Sequence, residues 1–275
     1  MKKWYAVIGD PIAHSLSPFM HETWFDEHGI DAAYIPIHVE PSQLEKSFEA
    51  MKTLSISGFN ITLPHKQSIV PFLDKLEESA MQMNTVNTVH CNGKKFVGSN
   101  TDGDGFVQSM LVHQVDKTKK VLLIGAGGAA RGIAFALKRA GFTDITVTNR
   151  TFRRAEELAA EIGGFAVTLT ESEERLAEFV VLIQTTSVGL ATGEALPISL
   201  DRVQAGTIAA DIIYNPLETP FLKKAEEKNC VTLNGVGMFV YQGAIAFEKW
   251  TGIQPDTDKM IKLITEKLGG TYVNN

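Results

Sequence analysis

The sequence predicts an α/β protein of two domains: an N-terminal α/β domain, an inserted doubly wound parallel sheet, and C-terminal helices that return to the first domain. Three observations predict it. Over residues 1–100, short β-rich runs alternate with helical ones. From Val121 the runs become continuously apolar and are separated by helical segments, as in strands buried on both faces of a parallel sheet. From Met238 the chain reads as helix and has to fold back.

The elements follow in order. Tyr5–Ile8 reads as a strand, and Ser17-Pro18 opens a helix with proline at its first position. Ala33–Val39 is strand-like, Pro41–Met51 helical and Ser55–Asn60 a short strand. Pro64 is expected to end an extended segment and start a helix. Val86–His90 and Lys95–Gly98 form a hairpin turned by Asn92-Gly93. The buried strands Val121–Ile124, Ile145–Val147, Val180–Ile183, Ile208–Ile213 and Val231–Leu233 come next, with right-handed crossovers between them. The expected boundaries are 1–102 with 238–275 for one domain and 103–237 for the inserted one.

A length of 275 residues suits two modest domains. The hydrophobic share of 44% and charged share of 21% are those of an ordinary folded protein. The net charge is -6 and no Lys/Arg run exceeds a pair, which argues against nucleic acid or an anionic membrane as partner. The two cysteines, Cys91 and Cys230, stand outside any CxxC or Cys/His cluster, so no metal site is expected and a reducing compartment fits. The apolar run near the N-terminus is broken by Asp10-Pro11 before it reaches signal-peptide length, and no apolar stretch approaches the roughly 20 residues that span a bilayer. The cytoplasm is the expected location.

Chemistry enters at Gly125-Ala126-Gly127-Gly128-Ala129-Ala130, directly after a buried strand. The spacing GxGxxA is the dinucleotide fingerprint with alanine in third place. Gly125 serves the tight turn, Gly127 the close approach of a pyrophosphate, and Ala130 the packing of helix on strand. The helix start offers N–H groups to phosphate. A merely tight turn is the plainer alternative. The next strand ends at Asn149-Arg150-Thr151, with Arg153 and Arg154 behind. An NAD site usually has an acid there, whereas arginines suit a 2′-phosphate. The pattern points to NADP, against the plainer reading of Thr151 as a helix cap with solvated arginines.

A second group of residues is short and polar. Ser15 and Ser17 follow the first strand, though alone they read as a cap and a spare serine. Alternation puts Asn60 and Thr62 on one side of an extended segment. Lys66, at an expected helix start, opposes the helix dipole and is a poor choice for stability alone. Asn87-Thr88 and Asn100-Thr101-Asp102-Gly103 lie at strand ends. Hydroxyls, amides, one lysine and one aspartate suit a ligand with several hydroxyls and one carboxylate.

These motifs together resemble the shikimate dehydrogenase (shikimate/quinate dehydrogenase) family over nearly the whole chain. They comprise Gly9-Asp10-Pro11 through Ser15-Leu16-Ser17-Pro18, Gly58 to Lys66, Asn100-Thr101-Asp102-Gly103, Gly125 to Arg131, Asn149-Arg150-Thr151, Asp211 to Pro216, and Gly237-Met238 with Gln242-Gly243. The resemblance implies a Rossmann-type nucleotide domain and reversible reduction of 3-dehydroshikimate to shikimate by NADPH, on the pathway to aromatic amino acids. It implies Lys66 and Asp102 as the catalytic pair. Ser15 and Ser17 look like the carboxylate ligands, with Asn60, Thr62, Asn87, Tyr214 and Gln242 as further substrate ligands. Arg154, Thr186, Ser187, Ile213, Gly235 and Met238 join the glycine turn and Asn149–Thr151 around the cofactor. It leaves the oligomer as monomer or homodimer. The chain departs from the family at Asn84-Thr85, where Gly-Ala is usual, at Gln184 and Leu190, where Asn and Met are common, and at Phe239, where Leu is frequent. The rival readings are a dual quinate/shikimate dehydrogenase that also takes NAD, a nucleotide-binding regulator without turnover, and a one-carbon or amino-acid dehydrogenase.

Overall fold

The structure is a computed structural model that describes residues 2–190 and 195–270. Positions 271–275 of the expected C-terminal range lie outside the described residues. The chain divides into two units, 1–101 with 242–260 and 102–241 with 261–275. Among the described residues no helix is long and apolar enough to cross a membrane.

The first unit is built on a six-stranded sheet. Its elements are β1 (Lys3–Gly9), α1 (Ser17–Glu27), β2 (Ala32–His38), α2 (Leu44–Thr53), β3 (Gly58–Ile61), β4 (Lys75–Leu76), α3 (Glu78–Met83), β5 (Thr88–Asn92) and β6 (Lys95–Ser99). The order is β2-β1-β3-β5-β6-β4. β1 pairs in parallel with β2 and β3, joined through α1 and α2, while β5 runs antiparallel to both β3 and β6. The central strand β1 is buried from Tyr5 through Gly9, as a strand covered on both faces must be. Register pairs Asn92 with Lys95, so the hairpin turn is Gly93-Lys94, one residue beyond the position expected.

One expectation fails here. No helix begins at Pro64; residues 63–69 are a run of turns ending in a short 3₁₀ segment, Val70–Phe72. The carbonyl of Lys66 accepts from the Val86 backbone N–H at 2.8 Å, which takes it out of any helical ladder, and Pro71 has no N–H to extend one. The argument that Lys66 opposes a helix dipole falls with that helix. The strand expected over 55–60 also begins late, at Gly58, because Ser55 is left-handed (φ 56).

The second unit contains α4 (Asp102–Leu111), β7 (Val121–Ile124), α5 (Gly128–Arg139), β8 (Ile145–Thr148), α6 (Phe152–Ile162), β9 (Phe165–Val167), α7 (Leu169–Glu174), β10 (Val181–Gln184), β11 (Ile208–Asp211), α8 (Pro220–Glu227) and β12 (Val231–Leu233). Its sheet is wholly parallel in the order β12-β11-β10-β7-β8-β9. This is the doubly wound dinucleotide-binding order, with its switch point between β7 and β10. β7, β8 and β10 are buried at every residue. Phe106, Ile133, Leu137, Leu158 and Ile183 join one core with them, each such side chain contributing roughly 1.5–3 kcal/mol. α9 (Val236–Thr251) begins in this unit and ends in the first, and α10 (Thr257–Lys267) runs the opposite way.

Candidate active site

In the first unit the polar residues gather around Asn87. Its backbone carbonyl accepts from Ile61 N–H at 2.8 Å and its N–H donates to Ser99 at 3.1 Å, so it is fastened between β3 and β6. Its side-chain oxygen accepts from the Thr101 N–H at 2.9 Å, and its amide donates to Gln242 Oε1 at 3.4 Å. Asn60, 7% exposed, spends both amide protons on the Asn87 carbonyl and Thr88 Oγ1, at 3.1 and 3.0 Å. Thr88 in turn donates to Asn87 Oδ1 at 2.9 Å. Asn60 Oδ1 accepts from the Tyr34 hydroxyl at 2.7 Å. The structure therefore brings Asn60, Asn87, Thr101 and Gln242 into one hydrogen-bonded net, with Asn60 as its inner tie.

Ser15 and Ser17 stand at the start of α1, where Ser15 Oγ accepts from the Ser17 N–H at 3.2 Å. Leu16 is the residue before the helix and makes no side-chain cap. Ser15 thus spends one acceptor position on the N–H two residues on, as a local cap does, and keeps its hydroxyl proton to donate. Thr62 follows β3, its N–H donating to Ile8 at 2.9 Å. Lys66 is half-buried and its backbone is tied to Val86, the neighbour of Asn87. The Asn84 departure has a local explanation: Asn84 ends α3 in the left-handed conformation (φ 49), which asparagine tolerates where glycine is usual. His65, fully buried, bonds the Val39 carbonyl through Nε2 at 2.6 Å and holds the turn that carries Lys66.

In the second unit Asp102 is the first residue of α4. The residue before it, Thr101, is the one pinned by Asn87. Gly125 has φ 116, a conformation that excludes other residues from the turn after β7. A side chain added at Gly127 or Gly128 would meet nothing within 4 Å, so open space faces the start of α5. Ala126 and Ala129 flank it half-buried, while Ala130 is fully buried against the core. At the end of β8 Asn149 donates to the Thr151 carbonyl at 2.9 Å. Thr151 precedes α6 without a side-chain cap, and no acid occupies the first turn of that helix. Arg153 is paired with Glu157 at 3.0 Å. Arg150 and Arg154 are exposed, and among the described residues neither has an acidic partner. A helix start, open glycines and two uncommitted arginines fit a dinucleotide with an extra phosphate.

Sequence reasoning missed the organiser of the β10 end. The buried Gln184 side chain accepts from Thr186 N–H at 2.7 Å and donates to the Val188 carbonyl at 2.9 Å, shaping the turn that bears Thr186 and Ser187. At β11 the buried Asp211 accepts from Ile213 N–H at 3.0 Å and from the Thr219 hydroxyl at 2.8 Å. Burial pushes its carboxyl up to about 6 despite both bonds. It thereby holds the segment of Ile213 and Tyr214. The Gly235 N–H donates to the Ile213 carbonyl at 2.9 Å, and Tyr214 stacks on Phe239 at 5.3 Å. Met238 packs half-buried on the core of this unit. Burial also raises the Tyr214 phenol, so it stays a neutral donor. Tyr34 was likewise missed, and Thr88 and Thr101 were singled out only as short polar residues at strand ends; each is joined to its partners only by the folded sheet.

Comparison with known proteins gives matches along the chain in order. A family profile described as shikimate dehydrogenase substrate binding domain matches residues 7–89. One described as shikimate / quinate 5-dehydrogenase matches 109–196, and one described as shikimate 5′-dehydrogenase C-terminal domain matches 235–265. The chain is similar to the shikimate dehydrogenase (NADP(+)) of Lysinibacillus sphaericus, 54% identical over 275 residues, covering 98% of this chain and 100% of that protein. It is also similar to the solved shikimate 5-dehydrogenase of Listeria monocytogenes in complex with shikimate and NAD, with TM-score 0.89, 33% identity and 96% of each chain covered. A third is the shikimate 5-dehydrogenase of Thermus thermophilus in complex with NADP(H) and shikimate, with TM-score 0.88, 35% identity, and 96% of this chain and 99% of that one covered.

Proposed function

The chain belongs to the shikimate dehydrogenase family, and on that premise we propose that it reduces 3-dehydroshikimate to shikimate with NADPH, reversibly. This is a CH–OH oxidoreductase step of the route to chorismate and the aromatic amino acids. One observation carries the cofactor choice: Arg150 and Arg154 stand without acidic partners at the end of β8, beside a helix start with no acid in its first turn.

When bound, NADPH supplies the hydride to the carbonyl carbon. The chain holds the cofactor through the glycine turn Gly125–Ala130, through Asn149, Arg150, Thr151 and Arg154 at the 2′-phosphate, and through Thr186, Ser187, Ile213, Gly235 and Met238. Ser15 and Ser17 take the substrate carboxylate. Thr62, Tyr214, Asn87 and Gln242 take the ring hydroxyls, and Asn60 fixes them from behind. The long 3.4 Å contact between Asn87 and Gln242 is the one most easily exchanged for a substrate hydroxyl. As hydride arrives, negative charge grows on the substrate oxygen. The Lys66 ammonium stabilises that charge and gives up a proton to it; in oxidation the neutral amine takes the proton back. Asp102 accepts a hydrogen bond from the same hydroxyl and orients the lysine. The protein acts in the cytoplasm, as monomer or homodimer.

The test is absorbance at the nicotinamide band on mixing protein, NADP⁺ and shikimate. A rise is expected, slower with NAD⁺ or quinate. Arg150→Ala is expected to weaken NADPH far more than NADH. No rise with any pairing of acid and cofactor overturns the reading.

A further inference from the structure

Two residues, Asn100 and Thr101, join the end of β6 to Asp102, the first residue of α4. Both are buried, at 2% and 1% exposure. In each, the backbone N–H is donated to a side chain rather than along a ladder. That of Thr101 goes to Asn87 Oδ1 at 2.9 Å, and that of Asn100 to Ser79 Oγ of α3 at 3.1 Å. The Asn100 carboxamide adds a second hold. Its Nδ2 donates to Thr85 Oγ1 at 3.0 Å and, at 3.4 Å, to the Thr85 carbonyl.

Thr85 belongs to the short segment that also holds the lysine. Its own N–H donates to the Ala80 carbonyl at 3.3 Å, closing α3 behind the left-handed Asn84. The next residue, Val86, donates to the Lys66 carbonyl at 2.8 Å, and the one after, Asn87, donates to the Ser99 carbonyl at 3.1 Å. Residues 85–87 therefore hold both the Lys66 turn and the run 99–101. Alanine is usual at position 85 in the family, so the hydroxyl that receives Asn100 is this chain's own addition. An alanine there would keep only the longer contact to the carbonyl.

We propose that Asn100, clamped by Thr85 and Ser79, is a positioning residue for Asp102: it fixes the path of the chain into the catalytic carboxylate, and Thr85 tightens that hold in this protein. The proposal rests on the reading of Lys66 and Asp102 as the catalytic pair. A carboxylate that both accepts from the reacting hydroxyl and orients an amine tolerates little displacement, since an error of about 1 Å is costly in rate. Asn100 moves no proton and acts only through the residue two places on.

Asn100→Ala removes both carboxamide bonds and keeps the backbone one. It is expected to lower kcat about tenfold, the worth of one hydrogen bond expressed in the barrier, with KM for NADP⁺ within about twofold. Thr85→Ala loses only the 3.0 Å bond and should lower kcat about threefold; Thr85→Ser should restore wild-type turnover. Thermal melts beside the assay establish that the variants are folded, and if Asn100→Ala does not fold, the Thr85 pair carries the test. Because the effect passes through the carboxylate, either alanine substitution in an Asp102→Asn background, assayed at high protein concentration, should change kcat by less than about 1.5-fold. Wild-type kcat in the single alanine variants, a Thr85→Ser variant as slow as Thr85→Ala, or losses that multiply in the double variants overturns the proposal. Absence of turnover in the wild type refutes the functional reading itself, which separates the two failures.

Discussion

At the residue scale, chemistry and stability can be probed by single side chains. Lys66→Ala is expected to lower kcat by roughly 10² to 10⁴, the usual worth of acid–base help, with KM little changed; wild-type turnover would remove the lysine from the mechanism. Asp211 offers a pH signature. Its carboxyl is raised from an ordinary 3.8 to about 6, so between those values the folded chain keeps a proton that the unfolded chain has released. Raising the pH through that window therefore withdraws stability, on the order of 3 kcal/mol for a shift of that size. Asp211→Asn can still accept from Ile213 and donate to Thr219. Its urea midpoint is expected to vary less between pH 4 and 6 than that of the wild type; an identical dependence overturns the assignment. The glycine turn and the arginines after β8 could be singled out from the sequence because their neighbours in the chain mark a strand–turn–helix, whereas Ser15 and Ser17 read alone as a cap and a spare serine and gained a role only through the family resemblance. Tyr34 could not be singled out, because what makes it part of the site is a bond to Asn60, 26 residues away.

At the element scale, legibility tracked length and periodicity. Val121–Ile124 was read to the residue, since an unbroken apolar run next to turn residues has few other uses; Val231–Leu233 also has the expected bounds, but Thr232 interrupts it and as a rim strand it is not buried as expected. β4 and β9 were missed, as runs of two and three residues carry no period. The helix expected at Pro64 failed because the Lys66 carbonyl is spent on β5's neighbour Val86, a partner no local pattern announces. The placement of α4 gives a test. A side chain at Gly103 would run into the Gly132 carbonyl of α5. Gly103→Ala should push α4 off α5, costing about 1–3 kcal/mol of stability and displacing Asp102, so that kcat falls while NADP⁺ affinity holds. By contrast, Thr168→Ala breaks the capping box of α7 and is expected to cost about 1 kcal/mol with kcat unchanged. Equal kinetics for the two variants would contradict the role given to the α4–α5 contact.

At the scale of the whole molecule, the proposed function assigns the cofactor to the unit of the parallel sheet and most of the substrate ligands to the unit of the mixed sheet. The wholly parallel sheet was predicted by its apolar runs. The mixed sheet was only partly legible, since β5 and β6 announce a hairpin but not the strand beside which it lies. Hydrogen exchange with each ligand alone tests the division of labour. NADP⁺ is expected to protect the β7–α5 and β8–α6 turns, and shikimate the start of α1 and residues 60–66 and 87–101. At a hundredfold excess over Kd either ligand adds about 2.7 kcal/mol of stability. Protection of the same segments by both ligands would count against separate sites.

The parallel sheet closes on both rims with strands of only three residues, β9 and β12. Each rim carries an exposed apolar side chain, Phe165 at 61% and Val231 at 37%. A longer rim of that character would offer a template on which a second polypeptide could extend the sheet, the first step of aggregation. Brevity denies it a ladder. Engineering that lengthens either rim for rigidity therefore trades away colloidal stability unless Phe165 or Val231 is exchanged for lysine at the same time.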